Sequence, residues 1–301
     1  MKGAGRPTLL LVGGGGGLVG RSVIREFGRT HRILSVHRRH VPNEVAGAVE
    51  WYPGDLTSNF NWRPLAREAQ VVLTLAWYRW ASEYQFRTLR DGLLRVVEAA
   101  QRAGVSRFLH VSVPPAPAQL EERLPYLRYK REVDRAIEGS GLSYRILRPT
   151  MLFGPGDRLI GVLLRLIERY GRLPMFGDGA YHVSPVAVDD LARALWLEAG
   201  RSEDGTADVG GPLRYRYHDL TDLLFGALGK RPRYFRLGGA NSVRLASLVS
   251  ATGSTLLYPY EVRWLLSDLL GLPAYPWLDR PLGTLESYLP EEVARIRTPT
   301  P

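Results

Sequence analysis

Short apolar runs alternate with glycine-rich or polar breaks and with segments of helical spacing through the first half of the chain. Leu9 to Val12 reads as a buried strand, and the glycines at 13–17 lead through Leu18, Val19 and Gly20 into SVIREF, which has the spacing of an amphipathic helix. RILSVHRR (32–39), AVEWYPGDL (48–56) and VVLTLA (71–76) predict the second, third and fourth strands. Between Glu83 and Ala103, Leu89, Leu93, Leu94, Val96 and Val97 keep helical register, and Gly104 stops that helix. RFLHVSV (107–113) and SYRILRP (143–149) predict strands five and six around the helix KREVDRAIEG. Strands and helices alternating at this length predict a parallel sheet with right-handed crossovers and a ligand cleft at the strands' carboxyl ends.

After Pro149 the pattern loosens. FGPGDR (153–158) is a turn-rich exit, GVLLRLIERY a short amphipathic helix, and VDDLARALWLEAG (188–200) a helix with an Asp cap. TADVGGP (206–212) predicts a return to the sheet, and from Tyr215 helical segments separated by Gly and Pro predict a smaller lobe over the cleft. The expected fold is α/β, a Rossmann-type doubly wound parallel sheet with a smaller, mainly helical C-terminal lobe. Residues 1–155, completed by about 181–213, form the expected dinucleotide-binding domain, and 156–180 with 214–301 form the substrate-covering lobe.

The strand, glycine loop and helix at 8–20 make a phosphate-binding turn. Gly14, Gly17 and Gly20, spaced G-x-x-G-x-x-G, are the candidate pyrophosphate contacts, because such a loop needs positive φ, close backbone approach and tight packing of helix on strand. With Leu18 and Val19, Gly20 opens the helix, whose terminal N–H groups and partial positive charge suit phosphates. A flexible loop without ligand is the alternative reading. No acid occurs between Glu26 and Glu44 to hold ribose hydroxyls, while Arg38 and Arg39 end the second strand. A cation there suits the 2′-phosphate of NADP(H) over NAD(H), with Arg38 the stronger candidate; two solvated arginines on a turn is the competing reading. Asp55 either accepts from the adenine amino group, with Leu56 packed on the ring, or caps the next turn.

Composition narrows the chemistry. The 301 residues contain no cysteine, which excludes disulfides, thiolate metal sites and cysteine nucleophiles. No His and carboxylate cluster has metal-ligand spacing; His182 reads as a satisfied polar residue and Asp189 as a helix cap. Neither a secretory signal nor a membrane-spanning run stands out, so a cytoplasmic protein is the expectation. The net charge is +10, and residues 1–40 hold eight Lys or Arg against Glu26 alone. Part of that excess flanks the proposed phosphate site, and no nucleic-acid motif accompanies it, so no nucleic acid is expected.

Only three of the 40 basic residues are lysine: Lys2, Lys130 and Lys230. Lys130 follows Tyr126 by four residues, just after Pro125, so both side chains share one face of a helix's first turns. With Ser112 at the end of strand five, they supply a hydroxyl for a substrate oxygen, a phenol to move its proton, and an ammonium that lowers the phenol's pKa and contacts the nicotinamide ribose. A flexible ammonium serves ribose and phenol together better than a planar guanidinium does. A surface tyrosine and a solvated lysine are the alternative.

GGGGGLVG, GDL, EAAQRAGVSRFLHVS, YxxxK at Tyr126 and Lys130, LRPTMLFGPGD and FGDG…VAVDDLARAL together resemble the short-chain dehydrogenase/reductases. The similarity is to the extended and atypical branch that holds nucleoside-sugar epimerases, NmrA-like proteins and the nucleotide-binding accessory subunit of respiratory complex I, over about residues 8–225. It implies Gly14, Gly17 and Gly20 at the pyrophosphate, Arg38 at the 2′-phosphate, Asp55 at adenine, Ala76 beside the cofactor ribose, and Ser112, Tyr126 and Lys130 as the triad. The interval between Ser112 and Tyr126 is shorter than in the sugar epimerases and lacks their Tyr-Gly turn, and the auxiliary Asn after strand four is missing; both argue against sugar-nucleotide chemistry. The expected activity is NADP(H)-dependent reduction of a carbonyl, a quinone or another electron-poor small molecule. The alternative is a structural or redox-sensing protein that holds NADPH without consuming it. A peripheral membrane or protein-complex contact, for instance through Val243 to Val249, is compatible with either, and the sequence leaves the oligomeric state open.

Overall fold

The computed structural model describes residues 5–38, 49–79, 81–157, 159–251, 258–276 and 278–298. In chain order the first elements are β1 (Thr8–Val12), α1 (Leu18–Phe27), β2 (Arg32–His37), β3 (Val49–Pro53), α2 (Arg63–Glu68), β4 (Val71–Thr74), α3 (Glu83–Ala103), β5 (Arg107–Val111), α4 (Ala118–Arg123), α5 (Pro125–Glu138) and β6 (Tyr144–Pro149). There follow β7 (Leu152–Phe153), α6 (Ile160–Tyr170), β8 (Leu173–Phe176), β9 (His182–Val183), β10 (Val186–Ala187), α7 (Val188–Ala199) and β11 (Gly205–Val209). The last are β12 (Tyr215–Arg216), α8 (Tyr217–Ala227), β13 (Tyr234–Leu237), α9 (Gly239–Ala251), α10 (Pro259–Leu265) and α11 (Leu285–Arg297).

One compact unit comprises Met1–Val113, Pro117–Arg148 and Val188–Ala207. The seven-stranded sheet has the order β11-β6-β5-β4-β1-β2-β3. Pairings from β3 across to β6 are parallel, with Leu10 opposite Leu34 and Val72, and Leu73 opposite Leu109. All five residues of β1 are buried, as expected of a central strand covered on both faces. One core cluster joins Leu10, Leu34, Val72 and Phe108 from the strands to Leu93, Val96, Val133 and Ile137 from α3 and α5. The chain leaves β1 toward β2 and β3, then returns to β4 on the other side. That reversal makes the carboxyl ends of β1 and β4 the switch point where an open α/β sheet binds ligands.

Local signals account for the helix ends that matter here. Ser82 and Gln85 form a reciprocal capping box at the start of α3, which ends on Gly104 at φ 66°. Pro125 opens α5, where its missing N–H costs nothing. The strands are shorter than the apolar runs imply: β4 stops at Thr74 and β5 at Val111, so Leu75 to Tyr78 and Ser112 lie beyond the sheet. Helix α4 has no buried residue, which is why no periodicity announced it.

The second unit comprises Pro114–Ala116, Pro149–Ala187 and Asp208–Pro301. It is mainly helical, with a core of Phe153, Ile160, Leu164, Leu220, Phe225, Leu285 and Leu289, and it carries the two-stranded ribbons β7/β10, β9/β12 and β8/β13. Tyr288 Oη donates within a buried cluster of Asp157 and Glu292.

Candidate dinucleotide and proton-transfer site

The first unit builds its candidate site around the exit of β4. Gly13 and Gly14 follow β1 with φ of 70° and 73°, a conformation open mainly to glycine. The Gly17 N–H donates to the Gly14 carbonyl at 2.7 Å and closes the loop. Gly17 then caps α1 without a side-chain cap, and Leu18 and Val19, half-buried, begin its first turn. A Cβ on Gly20 would overlap the Gly14 carbonyl oxygen, so helix and loop are in backbone contact there. No acid lies in that first turn to oppose an anion. Beneath the loop, Ser35 Oγ is buried without a hydrogen-bond partner among the described residues, 2.7 Å from where a Gly15 Cβ would lie. A bare loop, exposed amides and an orphaned hydroxyl form a cradle that suits a dinucleotide pyrophosphate.

Leu75 to Tyr78 touch each of the other parts. Leu75 packs on Gly14, and a Cβ on Gly13 would overlap Ala76. The Trp77 ring lies 5.0 Å from Lys130 Nζ and meets Tyr126 edge-on with centroids 6.2 Å apart. Phe86 of α3 closes the group, stacked on Trp77 and edge-on to Tyr126 at 5.9 Å each. The Arg38 guanidinium lies 5.4 Å over the Tyr78 ring. Arg39 falls outside the described residues. Four consecutive residues therefore link the glycine loop, Arg38 and the Tyr126/Lys130 pair.

Lys130 is buried and donates to the Val111 carbonyl at 2.6 Å. Burial lowers its pKa to about 7; the Asp134 carboxylate opposes that shift and the Arg131 charge adds to it. Ser112 is 2% exposed, and its hydroxyl donates to Asp134 Oδ2 at 2.8 Å. Arg131 Nη1 reaches the same oxygen at 2.6 Å, while its Nη2 donates to the Val113 carbonyl and its Nε to Glu121. On the far side His110 Nδ1 meets Thr74 Oγ1 at 2.6 Å, and His110 Nε2 faces Asp134 Oδ1 at 3.6 Å. A proton on Nε2, with Thr74 donating to Nδ1, suits both neighbours. Asp55 Oδ1 accepts from the Thr57 N–H and hydroxyl, both at 2.8 Å, so this carboxylate does cap the turn after β3. Leu56 is buried against the α3 core, and a Cβ on Gly92 would overlap its carbonyl.

Trp77, Phe86, Asp134, Arg131 and His110 were absent from the sequence-based candidate set. The aromatic cluster WYRW after β4, the Lys130/Asp134 spacing, and the period of two that puts His110 and Ser112 on one side of a strand are the signals that carry them.

Burial, with the charges of Lys130 and Arg131, holds the His110 pKa well below the ordinary 6.5. Below about pH 6.5 the unfolded chain binds a proton that the fold refuses, so stability falls as pH falls through that value. Burial lowers His31 in the same sense. Lys130, held at about 7 against an ordinary 10.5, acts in the same sense above neutrality. Urea denaturation from pH 8 to 5 should therefore show stability falling first through Lys130 and then, below about pH 6.5, with a limiting slope of about 1.4 kcal/mol per pH unit for each such histidine. A profile flat between about pH 6.5 and 5 would show that His110 and His31 titrate normally.

Fold and loop define a dinucleotide-binding α/β protein of the extended short-chain dehydrogenase/reductase type. Residues 10–209 match the model of the NAD dependent epimerase/dehydratase family, and the chain belongs to that family. It is 29% identical over 180 residues to the mitochondrial NADH dehydrogenase [ubiquinone] 1 alpha subcomplex subunit 9 of Arabidopsis thaliana, covering 56% of this chain and 43% of that protein. The match thus spans less than half the length of that subunit. A 2-alkyl-3-oxoalkanoate reductase of Stenotrophomonas maltophilia is 26% identical over 253 residues, 73% of this chain and 76% of the relative. Among solved structures, MoeE5 in complex with UDP-glucose and NAD superposes with a TM-score of 0.68 at 22% identity, over 97% of this chain and 98% of that one. Among the described residues, no helix is long and apolar enough to cross a membrane, and no group of three His, Cys, Asp or Glu is placed to hold a metal ion.

Proposed function

We propose that this chain binds NADP(H) at the glycine loop and reduces the carbonyl of an apolar small molecule. The observation that carries this reading is the β4 exit, where Ala76 abuts the glycine loop while the adjacent Trp77 packs on Lys130 and Tyr126. Bound NADPH would supply the hydride. Tyr126 would give its phenolic proton to the carbonyl oxygen, and Lys130, poised near neutrality, would supply positive charge to that site and a contact for the cofactor ribose. Trp77 and Phe86 wall the site with aromatic surface and exclude water around the proton transfer. Ser112 gives its one proton to Asp134, so toward substrate it acts as an acceptor and receives the hydroxyl of the alcohol product. The aromatic wall, together with the S. maltophilia relative named for an alkyl oxoalkanoate, favours a ketone bearing alkyl chains over a sugar nucleotide. The test is NADPH oxidation with a panel of 3-oxoacids of increasing chain length, where saturable turnover that improves with chain length is expected. Turnover of sugar nucleotides alone would overturn the substrate class.

Preference for NADPH rests on Arg38, the described cation at the end of β2. Arg38→Ala should weaken NADPH binding at least about tenfold, some 1.4 kcal/mol, while leaving NADH nearly unchanged in calorimetric titrations. Equal losses for both cofactors would move the 2′-phosphate contact elsewhere.

A second reading, NADPH held without turnover, draws support from the commitment of Ser112 to Asp134 and from the similarity to the complex I subunit. Under it, NADPH binds but resists oxidation by every member of the ketone and quinone panel.

A further inference from the structure

Most arginines whose contacts are described lie against carboxylates. Arg32 bridges Glu50 and Glu68, Arg107 pairs with Asp204, Arg193 with Glu26 and Arg295 with Glu291. One region of the second unit breaks that habit. Between Asp222 and Glu261 the chain has no acid, and it carries Lys230, Arg231, Arg233, Arg236 and Arg244. Lys230 is spoken for by Glu168 at 2.8 Å. Arg231, Arg233, Arg236 and Arg244, with Arg172 from the facing strand's approach, are exposed, and among the described residues none has a carboxylate within 4.0 Å.

The same surface exposes apolar groups. Of five large hydrophobic side chains exposed among the described residues, Phe235 (40%) and Leu248 (68%) lie on β13 and α9, and Tyr170 (60%) lies two residues before Arg172. In the ribbon, Tyr234 pairs with buried Leu173 and Arg236 with buried Met175, while Phe235 pairs with Pro174. Alternation puts Arg233 and Phe235 on one face, and the Arg172 guanidinium lies 5.8 Å over the Phe235 ring. Helix α9 turns Ser242 and Ala246 inward, and Leu237 and Val243 share the small core of Phe176, Ala246 and Val262. Its outer side carries Arg244 and Leu248, one turn apart. Ribbon and helix, joined through one core, thus present Arg172, Arg233 and Arg244, with no described carboxylate against them, beside exposed Phe235 and Leu248.

We propose that the outer side of β13 and α9, with Arg172, docks on an anionic lipid surface. Guanidinium groups that no described carboxylate neutralises match anionic headgroups, and Phe235 and Leu248 are placed to enter the boundary between headgroup and acyl chain. A single-stranded nucleic acid fits less well, because it requires open aromatic faces on which bases stack. Arg172 already covers Phe235, and aliphatic Leu248 offers no stacking surface. None of these residues belongs to the candidate dinucleotide site, and the inference holds whether or not the chain turns over NADPH.

The test is co-sedimentation of the full chain with phosphatidylcholine vesicles containing or lacking 30% phosphatidylglycerol, with a fluorescent oligonucleotide as competitor. Binding is expected only to the anionic vesicles, falling at least about tenfold from 50 to 300 mM salt, since exposed charges are screened. Arg172→Glu/Arg233→Glu should lower partitioning at least tenfold, and Phe235→Ser/Leu248→Ser severalfold with the salt dependence retained. Circular dichroism and NADPH binding confirm that each variant is folded. Equal binding to neutral vesicles, no binding to either, unchanged partitioning of folded variants, or displacement by the oligonucleotide at lower concentration than by soluble phosphatidylglycerol would each overturn the proposal.

Discussion

Tyr126→Phe should lower the rate of NADPH oxidation by carbonyl substrate by roughly 10² to 10⁴, the range that a positioned proton donor contributes. The substitution isolates chemistry from structure unusually well at this position. The ring contacts of Tyr126 with Trp77 and Phe86 are edge-on aromatic packing, which phenylalanine reproduces. Neither the glycine loop nor Ala76 is touched, so the NADPH dissociation constant should change by less than about twofold. Lys130→Met is the informative companion. It removes the hydrogen bond to the Val111 carbonyl and the charge over Trp77, so both turnover and NADPH affinity should fall. Stopped-flow measurement of NADPH consumption beside calorimetric titration separates the two effects. Wild-type turnover by Tyr126→Phe would remove the proton-transfer role from this residue and assign it to another group of the site.

What the sequence revealed of the fold and the site follows from how local each signal is. Strand, glycine loop and helix at 8–20 are legible because backbone at positive φ and in contact with its neighbour excludes side chains, and Gly13, Gly14 and Gly20 meet those demands. Tyr126 and Lys130 are legible because Pro125 fixes the start of their helix and four residues make one turn. The parallel sheet with right-handed crossovers followed from the alternation of strands and helices, whereas the order of its strands comes from the pairing itself. The groups that surround the pair were hidden because each comes from a different element. Trp77 follows β4, Phe86 belongs to α3, and His110 to β5; nothing in their own neighbourhoods marks them as convergent. Asp134 was hidden for another reason. An acid four residues after a lysine on a helix is ordinarily a solvated pair, whereas here both are buried, at 4% and 3% exposure. Asp55 shows the opposite limit: its two readings, adenine contact or turn cap, draw on the same carboxylate, and only geometry reveals that Thr57 occupies one of its oxygens.

Asp134→Ala should destabilise the fold by about 3–5 kcal/mol, the usual cost of removing one partner from a buried charge pair. Asp134 accepts from the Ser112 hydroxyl and from Arg131, and its second oxygen faces His110. Its loss strands a guanidinium that is 8% exposed, with Glu121 as the remaining carboxylate described against it, and leaves the Ser112 proton without its acceptor. Because the penalty belongs largely to the abandoned arginine, Arg131→Met in the same chain should recover part of it. The double variant should be more stable than the sum of the two single losses predicts, with a coupling on the order of 1–3 kcal/mol. Urea denaturation of wild type, both single variants and the double variant closes that cycle, and a single-variant cost below about 1 kcal/mol would show that Asp134 is dispensable to the fold. A fifth protein bears on Ser112. If Asp134 fixes the serine as an acceptor, Asp134→Asn, which can donate through its amide, should hold NADPH normally yet bind the alcohol product less tightly than wild type. Unchanged product affinity in that variant would mean that Ser112 belongs to the buried network alone, and Tyr126 with Lys130 would then carry the substrate oxygen without it.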